Sequence, residues 1–363
     1  MNNRPRKFSR QSGVTLVELM IGLGVGVLLL FGVGLLFTQN KQSYLQNEAL
    51  ARLQEEARFA LEELAHDISM TGFIAETVDA TAIFVGATTD DETAYHNATG
   101  TTVSCGPTAA ARNWFYDFED GLVESSLLTG DNLATGAAAQ ALYSCLDAAN
   151  FQPGTDAIGI KRTSGAPSGF LNNAAVPPDP TQVVAPAGRV YVRENGTRAV
   201  LYQSPDFPDA GARAVVQPYR DWEYSPKIYY VRNFGVTAGD GVPTLCRIRL
   251  VNDGTGGTPP QHTEECIAQG VEDLQIEYGL DTFDDGSANV YVRNPDVDDL
   301  TRVVSVRIYL LMRTINEDVG YRDDRTYALS NKAAYTPGDR FHRRIYASTV
   351  VLHNVNDVRR LAF

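Results

Sequence analysis

From residue 14 to residue 37 runs an apolar stretch whose one ionisable side chain is Glu18. At about 1.5 Å per residue a helix over this run is about 36 Å long, enough to cross a hydrocarbon core of about 30 Å. A carboxylate held at the bilayer centre costs roughly 2.5–3.5 kcal/mol, so Glu18 needs either the headgroup region or a partner. The helical period does not stop at Phe37. Apolar residues recur at Leu45, Leu50, Leu53, Ala57, Ala60, Leu61, Leu64 and Ile68, mostly three and four apart, which is one face of a helix. Neither Pro nor Gly interrupts 38–71, and Gly72 supplies a stop. The pattern predicts one helix over 14–70, on the order of 85 Å long, with a membrane half and an amphipathic half.

Beyond residue 73 the period is lost. The stretch to about 187 is rich in Ala, Thr, Gly and Asp. It reads as loops with short strands at 82–85, 114–118 and 156–161, and a stiff turn at 177–180. Alternation returns after Arg189. Segments 190–193 and 198–202 flank Asn195-Gly196, a strong hairpin pair; 227–231, 246–251, 272–280, 304–312 and 344–353 follow. Leu274, Ile276, Tyr278 and Leu280 fall on one face, as do Val304, Val306, Ile308, Leu310 and Met312. This predicts an α+β fold, a long helix laid over an antiparallel sheet with one buried face.

Charge narrows the partners. The chain has 31 Lys+Arg against 44 Asp+Glu, a net charge of −13. Four of those cations (Arg4, Arg6, Lys7 and Arg10) precede the apolar run, and no acid does. Without them the net charge is about −17, which leaves little to neutralise phosphates and argues against nucleic acid. The cations put the residues ahead of the anchor in the cytoplasm and the body on the far side. There, in an oxidising compartment, disulfides are the default for Cys105, Cys145, Cys246 and Cys266. Four cysteines allow three pairings. The sequence-local one, Cys105–Cys145 with Cys246–Cys266, is the expectation, each bridge contributing about 3–4 kcal/mol in the chain-entropy model.

Little of the chain suggests catalysis. Its five histidines form no H-E-x-x-H pair, and neither a G-x-S-x-G elbow nor a phosphate loop is present. The 281–289 loop is similar to the front of a calcium loop. Asp281 and Asp285 would be side-chain ligands there, and Ser287 would offer its carbonyl. Phe283 and Val292 stand where acids are expected, and a polar hairpin tip is the simpler account. Arg340, Arg343 and Arg344 read as a charged strand entry.

The basic leader followed by Gly13-Val14-Thr15-Leu16-Val17-Glu18-Leu19-Met20-Ile21 resembles the type III signal of type IV pilins and pseudopilins. The resemblance implies that a membrane-embedded prepilin peptidase cuts between Gly13 and Val14 and methylates the new amine of Val14. It also implies that Glu18 acts in filament assembly. Val14 departs from the Phe common in major pilins and suits a minor one. Segments 271–279, 281–286, 303–308 and 340–344 resemble the PilW family of minor pilins. The likeness covers the leader, the helix and the last hundred or so residues. It implies residues 1–13 as leader, 14–37 as membrane and filament-core helix, 38–70 as amphipathic helix and 71–363 as a periplasmic body with disulfide-clipped loops. The implied role is priming a type IV pilus from the inner membrane, with other minor pilins, the major pilin and a tip adhesin as partners. A J-type minor pseudopilin of type II secretion is the nearest alternative, and a membrane-tethered periplasmic enzyme a remote one.

Overall fold

Helix α1 spans Leu16–Ser69, within two residues of the expected limits at each end. Its termination has a local cause: Gly72 takes φ +79°, a left-handed conformation that a residue with a side chain adopts only at a cost. The Gly72 N–H then leaves the helix and donates to Lys161 O at 3.0 Å. The structure, a computed structural model, describes residues 13–76, 83–85, 105, 114–116, 118, 126–171, 189–197, 199–203, 219–251, 261–330 and 332–354. The basic leader and the 177–180 turn lie outside them. The chain divides into two compact units, Met1–Ala51 and Arg52–Phe363. In the first, Leu16–Phe37 of α1 is exposed almost throughout, with Leu30 at 74% and Phe31 at 68%.

Among the described residues of the second unit, fourteen strands make three sheets. The first sheet is β1 (Ile83–Val85), β6 (Ala199–Gln203), β5 (Val190–Glu194), β7 (Tyr219–Glu223) and β4 (Gly169–Leu171), in that order. The second is β10 (Gln261–Gln269), β9 (Thr244–Val251), β8 (Lys227–Arg232), β3 (Thr155–Ile160) and β2 (Leu127–Leu133). The third is β12 (Val290–Val292), β11 (Val271–Leu280), β13 (Val303–Arg313) and β14 (Arg343–Val351). Apart from the parallel β1–β6 pair, every pairing is antiparallel. Two short helices, α2 (Gly136–Leu142) and α3 (Val297–Leu300), complete the described elements.

Strand alternation explains how the layers stack. In the second sheet Ile158, Ile160, Tyr229, Val231 and Leu245 join one core with Leu53, Ala57, Ala60, Leu64 and Ile68 of α1 and with Leu274, Ile276, Val306, Ile308 and Leu310 of the third sheet. Their neighbours Ala157, Ile228, Tyr230, Cys246 and Ile248 point the other way, into a second core with Val190, Val192, Leu201 and Trp222 of the first sheet. The last turns of α1, from Leu53 to Ile68, thus cover two sheets, and β3, β8 and β9 of the second sheet feed a core on each face. Asp156 ties them: its Oδ1 accepts from Asn132 N at 2.8 Å and its Oδ2 from Ile276 N at 2.6 Å.

The expected Asn195-Gly196 hairpin joins β5 and β6, with Gly196 at φ +84°. Both sequence-local disulfides are present, Cys105–Cys145 and Cys246–Cys266. Three expectations fail. Residues 114–118 are no strand: Trp114–Tyr116 is a short 3₁₀ turn, because Trp114, Phe115 and Phe118 are all buried in the second core. Strand alternation would have turned Trp114 or Phe115 outward. Strand β10 was not expected, since its QHTEECIAQ sequence is polar and mostly exposed and only its ladder with β9 reveals it. The expected strands at 82–85 and 156–161 are present as β1 and β3, but the stretch to residue 187 holds more order than expected, since it also contains β2, β4 and α2. Arg343 does open a strand, β14, as expected of a charged strand entry, and it is buried there, held by Glu272 at 2.5 and 2.9 Å and by Asp339 at 2.5 and 2.6 Å.

Asp67, in the last turn of α1, is 1% exposed although it is charged. Arg162 reaches its Oδ1 at 2.6 Å, Lys227 its Oδ2 at 2.6 Å, and the Tyr229 hydroxyl also donates to it. Arg247, 4.0 Å from Asp67, is paired with Glu63 at 2.8 Å and Glu265 at 3.0 Å. Burial pushes the Asp67 carboxyl up, but Lys227 and Arg162 outweigh it and hold it below its usual range. Asp67→Asn should therefore destabilise the body by about 3–5 kcal/mol, since two buried cations lose their counter-charge. Asp67→Leu combined with Lys227→Met should cost less than the sum of the single changes, as denaturant unfolding of the detergent-solubilised chain would show.

His262 stands edge-on to Phe115, centroids 5.0 Å apart, its Nδ1 buried and, among the described residues, without a hydrogen-bond partner. Burial lowers it to about 4, against about 6.5 in an unfolded chain. Between those values the unfolded chain holds a proton that the folded chain lacks, so this contribution is complete above pH ~6.5 and lost as pH falls toward ~4. In His262→Phe, stability measured across that window should fall less steeply, by the slope of one proton.

Candidate functional site

The N-terminal start of α1 is built from three residues. The Thr15 N–H donates to Glu18 Oε2 at 3.0 Å, and the Thr15 hydroxyl donates to the same oxygen at 2.9 Å. The Glu18 N–H donates back to Thr15 Oγ1 at 3.2 Å. Leu19 N–H then donates to Thr15 O at 3.1 Å, the first backbone bond of the helix. This is a reciprocal capping box, Thr at the N-cap and Glu three residues on, which satisfies two of the otherwise orphaned amides. Its T-x-x-E spacing is legible in the sequence, yet the expectation above used only the distance from Gly13 to Glu18.

The box has two chemical consequences. It fixes where helix begins, so Gly13 and Val14 stay outside it. Gly13 has no atom within 4 Å of where a Cβ would stand, and Val14 is 74% exposed. The Gly13–Val14 peptide bond thus lies outside the helix, and among the described residues nothing crowds it. The box also occupies only one oxygen of Glu18. Among the described residues Glu18 Oε1 has no hydrogen-bond partner, so the carboxylate can cap its own helix and accept from another donor together.

The α1 span Leu16–Ser69 is long and apolar enough to cross a membrane and is not buried in protein over its apolar window. It is compatible with a single-pass anchor.

The residues of the candidate calcium loop lie on the β11–β12 hairpin tip. Asp281 is buried, its Oδ1 accepting from Phe283 N and Asp285 N at 3.2 Å each and its Oδ2 from Gly286 N at 2.8 Å. Asp285 Oδ1 accepts from Ser287 N at 2.8 Å. The Asp281 carboxylate thus closes the loop on its own amides. Two other groups gather metal-type ligands among the described residues, Cys105, Cys145 and His262, and Cys246, Glu264 and Cys266. In both the sulfurs are joined in disulfides and offer no thiolate.

Residues 228–354 match the family model described as Type IV Pilus-assembly protein W. The match runs from β8 to the end of β14 and takes in the whole third sheet. It supports a type IV pilus-related protein with a role in pilus assembly. Among curated proteins and among solved structures nothing matches.

Thr15→Val keeps the shape of the side chain and removes the cap, worth about 0.5–2 kcal/mol. The first turn of α1 should fray, seen as faster amide exchange at Leu16–Leu19 in micelles, and Thr15→Ser should restore it.

Proposed function

We propose that this chain is a minor pilin that primes type IV pilus assembly and stays at the pilus tip, where it helps seat an adhesin. The observation that carries the reading is the accessible Gly13–Val14 bond at the head of a capped, membrane-length helix, on a chain whose C-terminal third matches a pilus-assembly family. In this reading a prepilin peptidase hydrolyses the Gly13–Val14 amide, water adding its OH to the Gly13 carbonyl and a proton to the leaving nitrogen. The Val14 amine is then methylated. The anchor holds the chain in the inner membrane with the body in the periplasm until it enters a filament with other minor pilins and the major pilin. The role is structural and not catalytic. Calcium at Asp281, Asp285 and Ser287 has no step in it.

Glu18 acts between subunits in this proposal. In a bilayer its free Oε1 has nothing to accept from. In a filament the cationic amine of a neighbouring Val14 can meet it, and an unpaired charge in a dry core is heavily penalised. Each incoming helix is thereby drawn to the depth at which amine and carboxylate meet.

Mass spectrometry of the mature chain should find an N-methylated Val14 at its start, and Gly13→Arg should leave the leader attached. With the wild-type gene absent, Glu18→Val should still insert and be cleaved but should be depleted from sheared pili relative to membranes. Wild-type chains recovered from pili with Met1 attached would overturn the processing reading. Glu18→Val chains reaching pili at the wild-type ratio would overturn the role of Glu18.

A further inference from the structure

The six sheet edges among the described residues are not equally protected. An exposed edge is a template for another strand, and proteins blunt edges by shortness, charge, bulges or cover. Strands β1, β4 and β12 are three residues each. Strand β2 shifts register between Gly130 and Leu133. Strand β10 carries Glu264 and Glu265 and shifts register between Cys266 and Ala268. Strand β14 carries charge only at its start, on Arg343 and Arg344, and has none of the other devices. It pairs with β13 without a break from Val351 to Arg343, has no Pro, and is uncharged from Ile345 onward.

The direction of its unpaired groups follows from the ladder. Leu352 N–H donates to Val304 O, and Thr314 N–H donates to His342 O, both at 2.9 Å. Antiparallel pairs alternate between bonded and non-bonded, so residues 344, 346, 348 and 350 bond to β13. The N–H and C=O groups of Ile345, Ala347, Thr349 and Val351 then point out from the free edge. Their side chains share the face opposite the core and are exposed, Ile345 at 38% and Val351 at 46%. Arg344, at the strand's start, is exposed too, and among the described residues it makes no ion pair.

We propose that β14 is a docking edge that takes an extended segment of another pilus subunit as a fifth strand of the third sheet. The segment would be apolar where it lies beside Ile345, Ala347, Thr349 and Val351, and would place a carboxylate opposite Arg344. A second copy of this chain does not fit as well. Strand β14 has no acidic residue, so pairing with itself leaves both copies of Arg344 without a counter-charge in any register, and it brings together two bodies of strongly negative net charge. The inference rests on the pilus reading for the identity of the partner, while the edge itself follows from the ladder.

The test places a photo-crosslinking p-benzoylphenylalanine at Thr349 of the full chain in pilus-forming cells and sequences the crosslinked peptide. The expected product joins Thr349 to an uncharged stretch, with an acid at one end, from a different pilus subunit. Ala347→Pro removes one outward N–H without touching the β13 ladder and should lower the yield roughly tenfold. Arg344→Glu leaves the backbone intact and should lower it to a similar extent, so a folding defect in the proline variant cannot decide the outcome. A crosslink to a second copy, to a protein that is not a pilus subunit, or to nothing overturns the proposal, as does an undiminished yield in Arg344→Glu. Scoring wild-type chains in sheared pili separates the two claims. Chains present there without the crosslink overturn the docking edge alone, and chains absent overturn the pilus reading.

Discussion

The body depends on how one buried carboxylate is neutralised. Asp67 lies on the apolar stripe of α1, between Leu64 and Ile68, where a charge is expensive unless paired. Its partners come from well-separated parts of the chain, Arg162 after β3, Lys227 and Tyr229 in β8, and Arg247 nearby in β9. The charges cannot be satisfied unless the end of the helix sits at one place over the second sheet. Apolar packing along Leu53, Ala57, Ala60, Leu64 and Ile68 supplies area but little register, because a smooth stripe can slide. The ion cluster supplies the register.

A similar economy operates at the other end of α1. Glu18 is costly in lipid, yet it completes a capping box with Thr15 and leaves one oxygen open. The box thus sets where the helix begins, leaves Gly13 and Val14 outside it, and leaves Glu18 Oε1 without a partner among the described residues. The position of Glu18 is constrained by helix chemistry alone.

The region matched by the pilus-assembly family runs from β8 onward, and the first sheet lies wholly outside it. That sheet covers the second core, which the second sheet shares through alternate residues of β8 and β9. Its outer face holds charge as well: Arg193 is paired with Asp221 at 2.6 Å and lies 3.6 Å over the Tyr219 ring. An added layer of this kind can vary without disturbing the face that α1 covers, since the two cores lie on opposite sides of the second sheet.

Much of this was legible from residue order alone, wherever a single periodicity governed a segment. The three-and-four spacing to Ile68, the Gly72 stop, the Asn195-Gly196 hairpin and the alternation in β11 and β13 are local rules, and the elements follow them. The local disulfide pairing was also the simplest available and is the one present. Tertiary structure decided the rest. Strand β10 is polar and exists because β9 offers it a ladder. Trp114, Phe115 and Phe118 all turn inward because the second core must be filled, which overrides their preference for strand. Asp67 reads in sequence as one more acid on a helix, and the free edge of β14 reads as one more apolar strand. Pairing partners, counter-charges and unpaired backbone groups belong to residues far apart in the chain, so only the folded arrangement determines them.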